Sequence, residues 1–351
     1  MEAPAAAAHP LGHPHRADEF DGDLPDPIPQ ATLRELSEVS VAASLGHTAL
    51  EWTMIAAAIA LAVRFPHPAI YVAAVLFIGA RHHALTLLMH DASHYRYLRH
   101  HGLNDWVADV LVAWPVFLSL PRYRAFHMLH HRHLGEETDG NRVAYMTHSK
   151  DGVLHRIWVY PKTHLQLVLL LLMRLVEAPF ILLYILWLDL SEAVLVWIGK
   201  GELGEFIRHY RKPPSRLYVT MKVAADAGIG LAVWQLGIWK PFLLLWIVPW
   251  CWHLVLQQIR LIGEHFAIDN DHPFYQQTRS TELNWLESLL YLPKNANLHL
   301  EHHIHPSVPF HRLPRLHALL MEQDGFRERA QVTQHLTGLL KECVRQPGTP
   351  K

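Results

Sequence analysis

Residues 127–133 read His-Met-Leu-His-His-Arg-His, and this stretch decides the fold that the rest of the chain must adopt. On a helix, positions three and four apart lie on one face, so His127, His130 and His131 can direct their imidazoles at one point. Neutral imidazole is the commonest protein ligand of transition metals. The spacing therefore predicts a metal site.

Two other blocks repeat this arrangement in distant parts of the chain. The sequence His-Asp-Ala-Ser-His at 90–94 places two histidines one helical turn apart, and His-Leu-Glu-His-His at 299–303 copies the spacing of the central block. A single histidine such as His164 is more often a hydrogen-bonded surface or core residue than a ligand. Three close-spaced blocks beside apolar segments favour metal binding, provided that the fold brings them together.

The composition is that of a membrane protein with sizeable polar parts. The chain has 351 residues, of which 50% are hydrophobic, and a formal net charge of −1. The near-zero charge gives no indication of a nucleic-acid partner. Two cysteines, Cys251 and Cys343, are too few for a disulfide framework, a cysteine-ligated zinc site or an iron–sulfur cluster. A bound metal is therefore held by nitrogen.

Three regions follow from the distribution of apolar residues. Residues 1–30 are rich in Ala, Pro, His and Asp and have no apolar core, which predicts a disordered tail and no signal peptide. Residues 31–320 hold the three blocks and the long apolar segments, and they form the predicted membrane domain. Residues 321–351 are predicted to form a C-terminal amphipathic helix and tail.

The predicted fold is all-α and integral to the membrane. Segments 48–64 and 68–89 form one transmembrane hairpin, and segments 217–237 and 241–260 form a second. These four spanning helices are capped by a helical domain that carries a histidine-rich dinuclear metal site. Residues 106–120 are apolar but short, which is typical of an interfacial or re-entrant segment.

Residues 164–188 are a further apolar segment, and their topology is open. If all three blocks face one compartment, the chain must cross the membrane an even number of times between the second block and the third. We assign 164–188 as the segment that does not cross, because Arg174 and Glu177 lie in its middle, where charges are costly in lipid. In the rival assignment, residues 164–188 cross the membrane. Because the proposed short turns carry only Arg64 and Lys240, the positive-inside tendency predicts that the blocks face the cytoplasm.

The number of candidate ligands predicts two metals. Eight histidines stand at block positions, more than the about four to six sites around one transition metal. They are His90, His94, His127, His130, His131, His299, His302 and His303. Imidazole suits zinc, copper, iron and nickel, so these residues alone do not choose the metal. His133, His305 and His311 lie beside the blocks without completing the spacing.

Carboxylates within the blocks, or beside the separate histidine His265, are candidates to orient the ligands. Asp91, Glu264 and Glu301 can accept the free ring N–H of a ligating histidine, which fixes its tautomer and its basicity. Asp139 is a weaker candidate for the same role. Each of them could instead be a solvated carboxylate.

The order of the blocks, with one predicted hairpin before the first and another before the third, resembles the integral-membrane fatty acid desaturase and hydroxylase superfamily. The resemblance covers roughly residues 40–320. It implies two iron ions, dioxygen as co-substrate and two electrons per turnover, with C–H bonds broken in a lipid chain. It also implies a ninth ligand, His265, because such proteins carry an isolated histidine after the last spanning helix.

The resemblance leaves the reaction open. It favours a membrane-bound, dioxygen-dependent fatty acyl desaturase, and the alternative is a carotenoid or other lipid hydroxylase or ketolase. A fused haem domain with His-Pro-Gly-Gly is absent, so we expect a separate electron donor such as a ferredoxin or a b-type cytochrome. A different class, a histidine-rich metal transporter or storage protein, would place its ligands near mid-membrane rather than past helix ends.

Overall fold

The computed structural model describes residues 27–134, 139, 163–200, 214–265, 268, 275 and 278–344. Within these residues the protein consists of helices and one pair of three-residue strands, which confirms the predicted all-α class apart from that small addition. The predicted N-terminal tail lies outside the described residues except for 27–30, and so does most of the polar stretch before residue 163.

Two long helices form the first predicted hairpin. The bounds are α1 (Gln30–Leu36), α2 (Val41–Arg64) and α3 (Pro68–Ser93). The turn before α3 is short because Pro68 occupies the first helical position and His67 caps the helix by accepting the Ala69 N–H at 3.2 Å. α3 carries His90 in its last turn, and His94 follows as its C-cap.

The segment between the first two blocks is bent. Its elements are α4 (His101–Ala108), a π-helical turn (Asp109–Ala113), a 3-10 turn (Trp114–Val116) and α5 (Leu120–Arg132). Its two halves meet at 93°, and Phe117 adopts a left-handed conformation with φ 63° at the bend. The buried Asp109 side chain accepts the Leu120 N–H at 2.9 Å, so it helps to start α5 instead of facing lipid. Such a bend suits the predicted re-entrant segment as well as a broken span.

Three helices follow, and they include the second predicted hairpin. The bounds are α6 (His164–Trp197), α7 (Arg216–Gln235) and α8 (Trp239–His265, with a π-helical turn at Leu243–Ile247). α7 and α8 form that hairpin, and α8 packs along α3. Five helices, with α1 and α2 counted together, are long and apolar enough to cross a membrane, whereas the sequence predicted four. The additional one is α6.

The polar contacts of α6 with this hairpin lie at the end that carries His265. Arg174 donates to Gln258, near the end of α8, at 2.9 Å, and Asp189 pairs with Lys222, near the start of α7, at 3.1 Å. The 34 residues of α6 extend for about 51 Å, which exceeds a bilayer core of about 30 Å. These contacts favour a helix that lies across the ends of α7 and α8. That α6 does not cross the membrane stays a prediction.

The C-terminal part packs onto the ends of α3 and α8. Its elements are β1 (Ser280–Glu282), α9 (Trp285–Leu290), α10 (His299–Ile304), α11 (Leu313–Met321), α12 (Asp324–Arg329), β2 (Val332–Gln334) and α13 (His335–Cys343). The strands are parallel, with Ser280 opposite Val332. A side chain at Gly263 would collide with Leu339, so the glycine lets α13 approach α8 two residues before His265.

Candidate metal centre

Four helices bring the histidine blocks to one place. α3 and α8 lie side by side, so their last turns end at the same level, and α5 and α10 cover them there. The nine histidines at this level are His90 and His94 from α3 and its cap, His127, His130 and His131 from α5, His265 from α8, and His299, His302 and His303 from α10. The structure thus brings together every histidine that the sequence analysis named as a ligand.

The nine rings divide into two groups. The first consists of His90, His94, His127, His131 and His302, and the second consists of His130, His265, His299 and His303. Within each group the candidate ligand atoms all lie within 4.8 Å of one another. On both α5 and α10 the adjacent histidines of the His-His pair belong to different groups. One helix therefore contributes to both groups, which places two potential metal sites next to each other.

Short nitrogen–nitrogen contacts in the first group are not satisfied by hydrogen bonds. Nε2 of His127 lies 2.8 Å from Nε2 of His94 and 3.0 Å from Nε2 of His131. Nε2 of His131 lies 3.0 Å from Nε2 of His302 as well. A ring nitrogen carries either one hydrogen or one lone pair, so it cannot donate to one neighbour and accept from another. A shared cation would satisfy these atoms together.

The second group has the same arrangement. Nε2 of His299 lies 3.0 Å from Nε2 of both His265 and His303, and Nε2 of His303 lies 3.3 Å from Nε2 of His130. With metal–nitrogen bonds of about 2.1 Å, ligands at right angles around one ion are roughly 3 Å apart, which agrees with these contacts. The residues of both groups therefore fit a transition metal held by imidazole.

Burial keeps the histidines in the form that binds metal. Burial lowers the pKa of His299, His302 and His303 well below the usual value, and the neighbouring histidines lower it further. The neutral ring leaves one nitrogen lone pair free for a metal. These three rings are therefore held in the neutral form, in which no proton competes with a metal.

Two of the predicted orienting carboxylates contact ligand rings in different ways. Asp139 Oδ1 lies 2.9 Å from His130 Nδ1, the nitrogen that faces away from the group, and so accepts the ring N–H that a metal-binding histidine leaves free. Glu264 Oε2 lies 3.4 Å from His299 Nε2, the nitrogen that faces the group, and Glu264 also pairs with Arg260 at 2.6 Å.

The other two carboxylates have other partners. Asp91 accepts the Phe310 N–H at 2.9 Å, and its second oxygen lies 3.7 Å from His90 Nδ1, beyond hydrogen-bond distance. Glu301 accepts from His317 Nδ1 at 2.6 Å and from the Ser280 hydroxyl. In the structure these two carboxylates therefore hold neighbouring segments in place. Neither of them accepts the free ring N–H of a candidate ligand.

Sequence reasoning did not single out every residue at the centre. The Tyr123 ring stacks on His127 at 5.3 Å, and its position four residues earlier on α5 was a signal that could have found it. His317 lies on a different helix from the Glu301 that it contacts, so no local pattern indicates it. His133, His305 and His311, which lie beside the blocks in the sequence, belong to neither group.

The fold and the site define a class, namely helical membrane proteins whose buried histidines can bind two metal ions. Residues 66–334 match the family described as fatty acid desaturase, which is more than half of the chain. The chain belongs to this family. The resemblance seen in the spacing of the histidine blocks is thereby confirmed at the level of the family.

Two desaturases are similar to the chain over most of its length. Dihydrorhizobitoxine desaturase of Bradyrhizobium elkanii is 25% identical over 276 residues, which are 74% of this chain and 70% of that protein. A sphingolipid delta(4)-desaturase of Drosophila melanogaster is 24% identical over 267 residues, which are 72% of this chain and 66% of that protein. Because the names give two different substrates, these similarities do not choose a substrate.

Proposed function

We propose that this protein is a membrane-bound, dioxygen-dependent lipid desaturase with two iron ions held by the nine histidines. One observation carries the proposal: the Nε2 atoms form two adjacent groups whose mutual contacts suit a shared cation and not a hydrogen-bond network. Membership of the fatty acid desaturase family supports iron over the other metals that imidazole accepts.

Each group has enough ligands for one iron. The first group would supply five imidazoles and the second would supply four, and neither group includes a carboxylate. When bound, the two irons would supply the activation of dioxygen that C–H cleavage requires. The protein would contribute the fixed ring orientations, with Asp139 holding His130 by its outer nitrogen.

The surroundings of the centre would exclude bulk water from the reaction. His90, His127, His299 and His302 are each at most 6% exposed, and helices α3, α5, α8 and α10 enclose them. Enclosure of this kind protects reactive species from side reactions and holds one part of the substrate close to the metals. The substrate is proposed to be a fatty acyl or related lipid that enters from the bilayer.

We further propose that the centre faces the cytoplasm and receives electrons from a separate ferredoxin or b-type cytochrome. The basic residues of the loops favour this orientation by the positive-inside tendency. Desaturation is proposed ahead of hydroxylation or ketolation because both curated relatives are named as desaturases. Metal transport is less well supported, since the ligands lie at the ends of α3 and α8 and are closed off by α5 and α10.

The test is expression in a host that contains fatty acids and carotenoids, followed by mass spectrometry of its lipids. We expect products that have lost two hydrogens, together with oxygen uptake by the purified protein that depends on iron and a reductant. Products that have gained oxygen would indicate the hydroxylase alternative. Bound zinc without oxygen uptake would refute the oxidase function.

A further inference from the structure

The apolar side chains of the short helix α9 face outward, which is the reverse of a helix on a water-soluble surface. Trp285, Leu286 and Leu290 are 75%, 45% and 40% exposed. With 3.6 residues per turn, these three positions lie within about 140° of the helix circumference, so they form one continuous apolar surface. A continuous exposed apolar surface marks a site of interaction.

The only charged side chain of α9, Glu287, is turned toward the protein. One of its oxygens accepts the Asn284 N–H at 3.0 Å and lies 3.1 Å from Nδ1 of His335. The other accepts the Leu336 N–H at 3.0 Å. These contacts join α9 to the start of α13 and fix its rotation about its own axis. The outward direction of the apolar face is therefore built into the fold.

α9 is attached to α3 at a level that lies within the membrane-spanning part of α3. The Arg81 guanidinium donates to the Leu289 carbonyl. Arg81 lies about 20 Å along the axis from Pro68, where α3 begins, whereas the hydrocarbon core of a bilayer is about 30 Å thick. The exposed Arg64 and His67, in the turn before α3, mark the opposite surface of the bilayer. α9 therefore lies level with the leaflet on the side of the metal centre.

Helix α2 is apolar and exposed at the same level. Glu51 on α2 pairs with Arg81 on α3 at 3.0 Å, so these two residues mark one level of the bundle. The neighbouring Leu50 is 49% exposed, and Leu45, nearer to the metal centre along α2, is 38% exposed. Because α2 is long and apolar enough to cross a membrane, these leucines face lipid. The apolar face of α9 thus continues the lipid-facing surface of α2 at the same height.

We infer that α9 is inserted into the leaflet on the side of the metal centre, where Trp285, Leu286 and Leu290 contact lipid. The partner of this surface is the bilayer itself. Tryptophan is enriched at membrane–water interfaces, because its ring is apolar and its N–H is polar. Residues 291–298 join α9 directly to α10, so lipid of this leaflet lies one short segment away from the histidine groups. The inference goes beyond the proposed function and requires no bound metal.

Spin-label depth measurements on the full-length protein in nanodiscs test this inference. Single labels are placed at Leu286→Cys, Leu50→Cys and Arg315→Cys, in a background without Cys251 and Cys343. Dissolved oxygen concentrates in hydrocarbon and a nickel chelate stays in water, so the ratio of their collision rates reports the depth of a label. We expect the ratio at Leu286 to match that at Leu50 on α2 and to be shifted away from that at the exposed Arg315 on α11.

Two results would overturn the inference. A Leu286 label that collides with the nickel chelate as often as the Arg315 label would show that α9 faces water. A Leu286 label shielded from both reagents would show that another protein surface, such as a second copy of the chain, covers α9.

Tryptophan fluorescence in nanodiscs of lipids brominated in their acyl chains gives a second measurement without a label. Bromine quenches only nearby tryptophans, so Trp285→Phe should lose fluorescence that these lipids quench. Trp250→Phe is the control, because Trp250 is 0% exposed and should remove only fluorescence that they do not quench. Unchanged quenching in Trp285→Phe would contradict the insertion of α9. Neither measurement needs iron or a product, so the result stands whether or not the proposed function does.

Discussion

Nε2 of His131 lies 3.0 Å from Nε2 of His302, although 171 residues separate the two histidines in the chain. One is on α5 and the other on α10, and neither helix carries enough ligands for two metals. Their contact shows that the second and third blocks meet in the first group. Loss of either ring would therefore remove one candidate ligand from that group.

The substitution His131→Ala tests this contact. We expect the variant to bind fewer than two irons per chain and to form no lipid product, because the first group loses a ligand that neighbours both His127 and His302. Metal analysis and lipid mass spectrometry provide the measurement. His133→Ala is the control, since His133 lies outside both groups and should keep full metal content. Full activity in His131→Ala would refute its ligand role.

Asp139→Asn tests the carboxylate that orients His130. The amide keeps the size of the side chain but loses the charge that favours the bound form of the ring, so we expect metal affinity in the second group to fall by about 10- to 100-fold. Competition with a graded chelator measures this. Asp226→Asn changes a carboxylate that pairs with Lys222, and it should leave metal affinity as it is. Equal affinities for the Asp139 variant and wild type would contradict the assignment.

The topology of α6 can be tested by labelling single cysteines in a background without the two native ones. If α6 lies across the ends of α7 and α8, cysteines at Thr163 and Trp197 react from the same side of sealed vesicles as one at Arg315 in α11. A cysteine at Phe65, in the turn between α2 and α3, should react from the opposite side. Labelling of Thr163 and Trp197 from opposite sides would establish that α6 crosses.

The ion pair between His317 and Glu301 predicts a pH dependence of stability. The hydrogen bond that His317 donates to Glu301 raises the pKa of His317, so the folded protein holds this proton more tightly than the unfolded chain. The stabilisation is complete below the ordinary histidine value of about 6.5 and is lost as the pH rises through the raised pKa.

His317→Gln removes this contribution. The difference in unfolding temperature between wild type and the variant should therefore be larger at about pH 6 than at about pH 8.5, as measured by thermal unfolding at both values. A difference that grows with pH would show that the folded protein stabilises the neutral form of His317, which is the opposite of the effect expected from its ion pair with Glu301.

The histidine groups could be predicted from the sequence because their spacing is local. The positions three and four apart in 127–131 and 299–303 define one helical face whatever the rest of the fold does. The four hairpin segments were predictable for the same reason, since length and apolar content are properties of each segment alone. Those four segments are helices in the structure.

The orienting carboxylates could not be ranked from the sequence, because their partners depend on tertiary packing. Asp139 was the weaker candidate and yet contacts His130, whereas Glu301, inside the third block, contacts His317 and Ser280 instead. The ion pair between Lys294 and Glu51 was equally hidden, because the segment before α10 meets α2 only in the folded protein.

The central claim is that two metal ions share nine imidazoles at the ends of α3 and α8. Metal analysis combined with X-ray absorption spectroscopy of the purified full-length protein tests it most directly. We predict two irons per chain, each with a first coordination shell dominated by nitrogen. A single metal per chain, or a shell dominated by oxygen or sulfur, would contradict the claim.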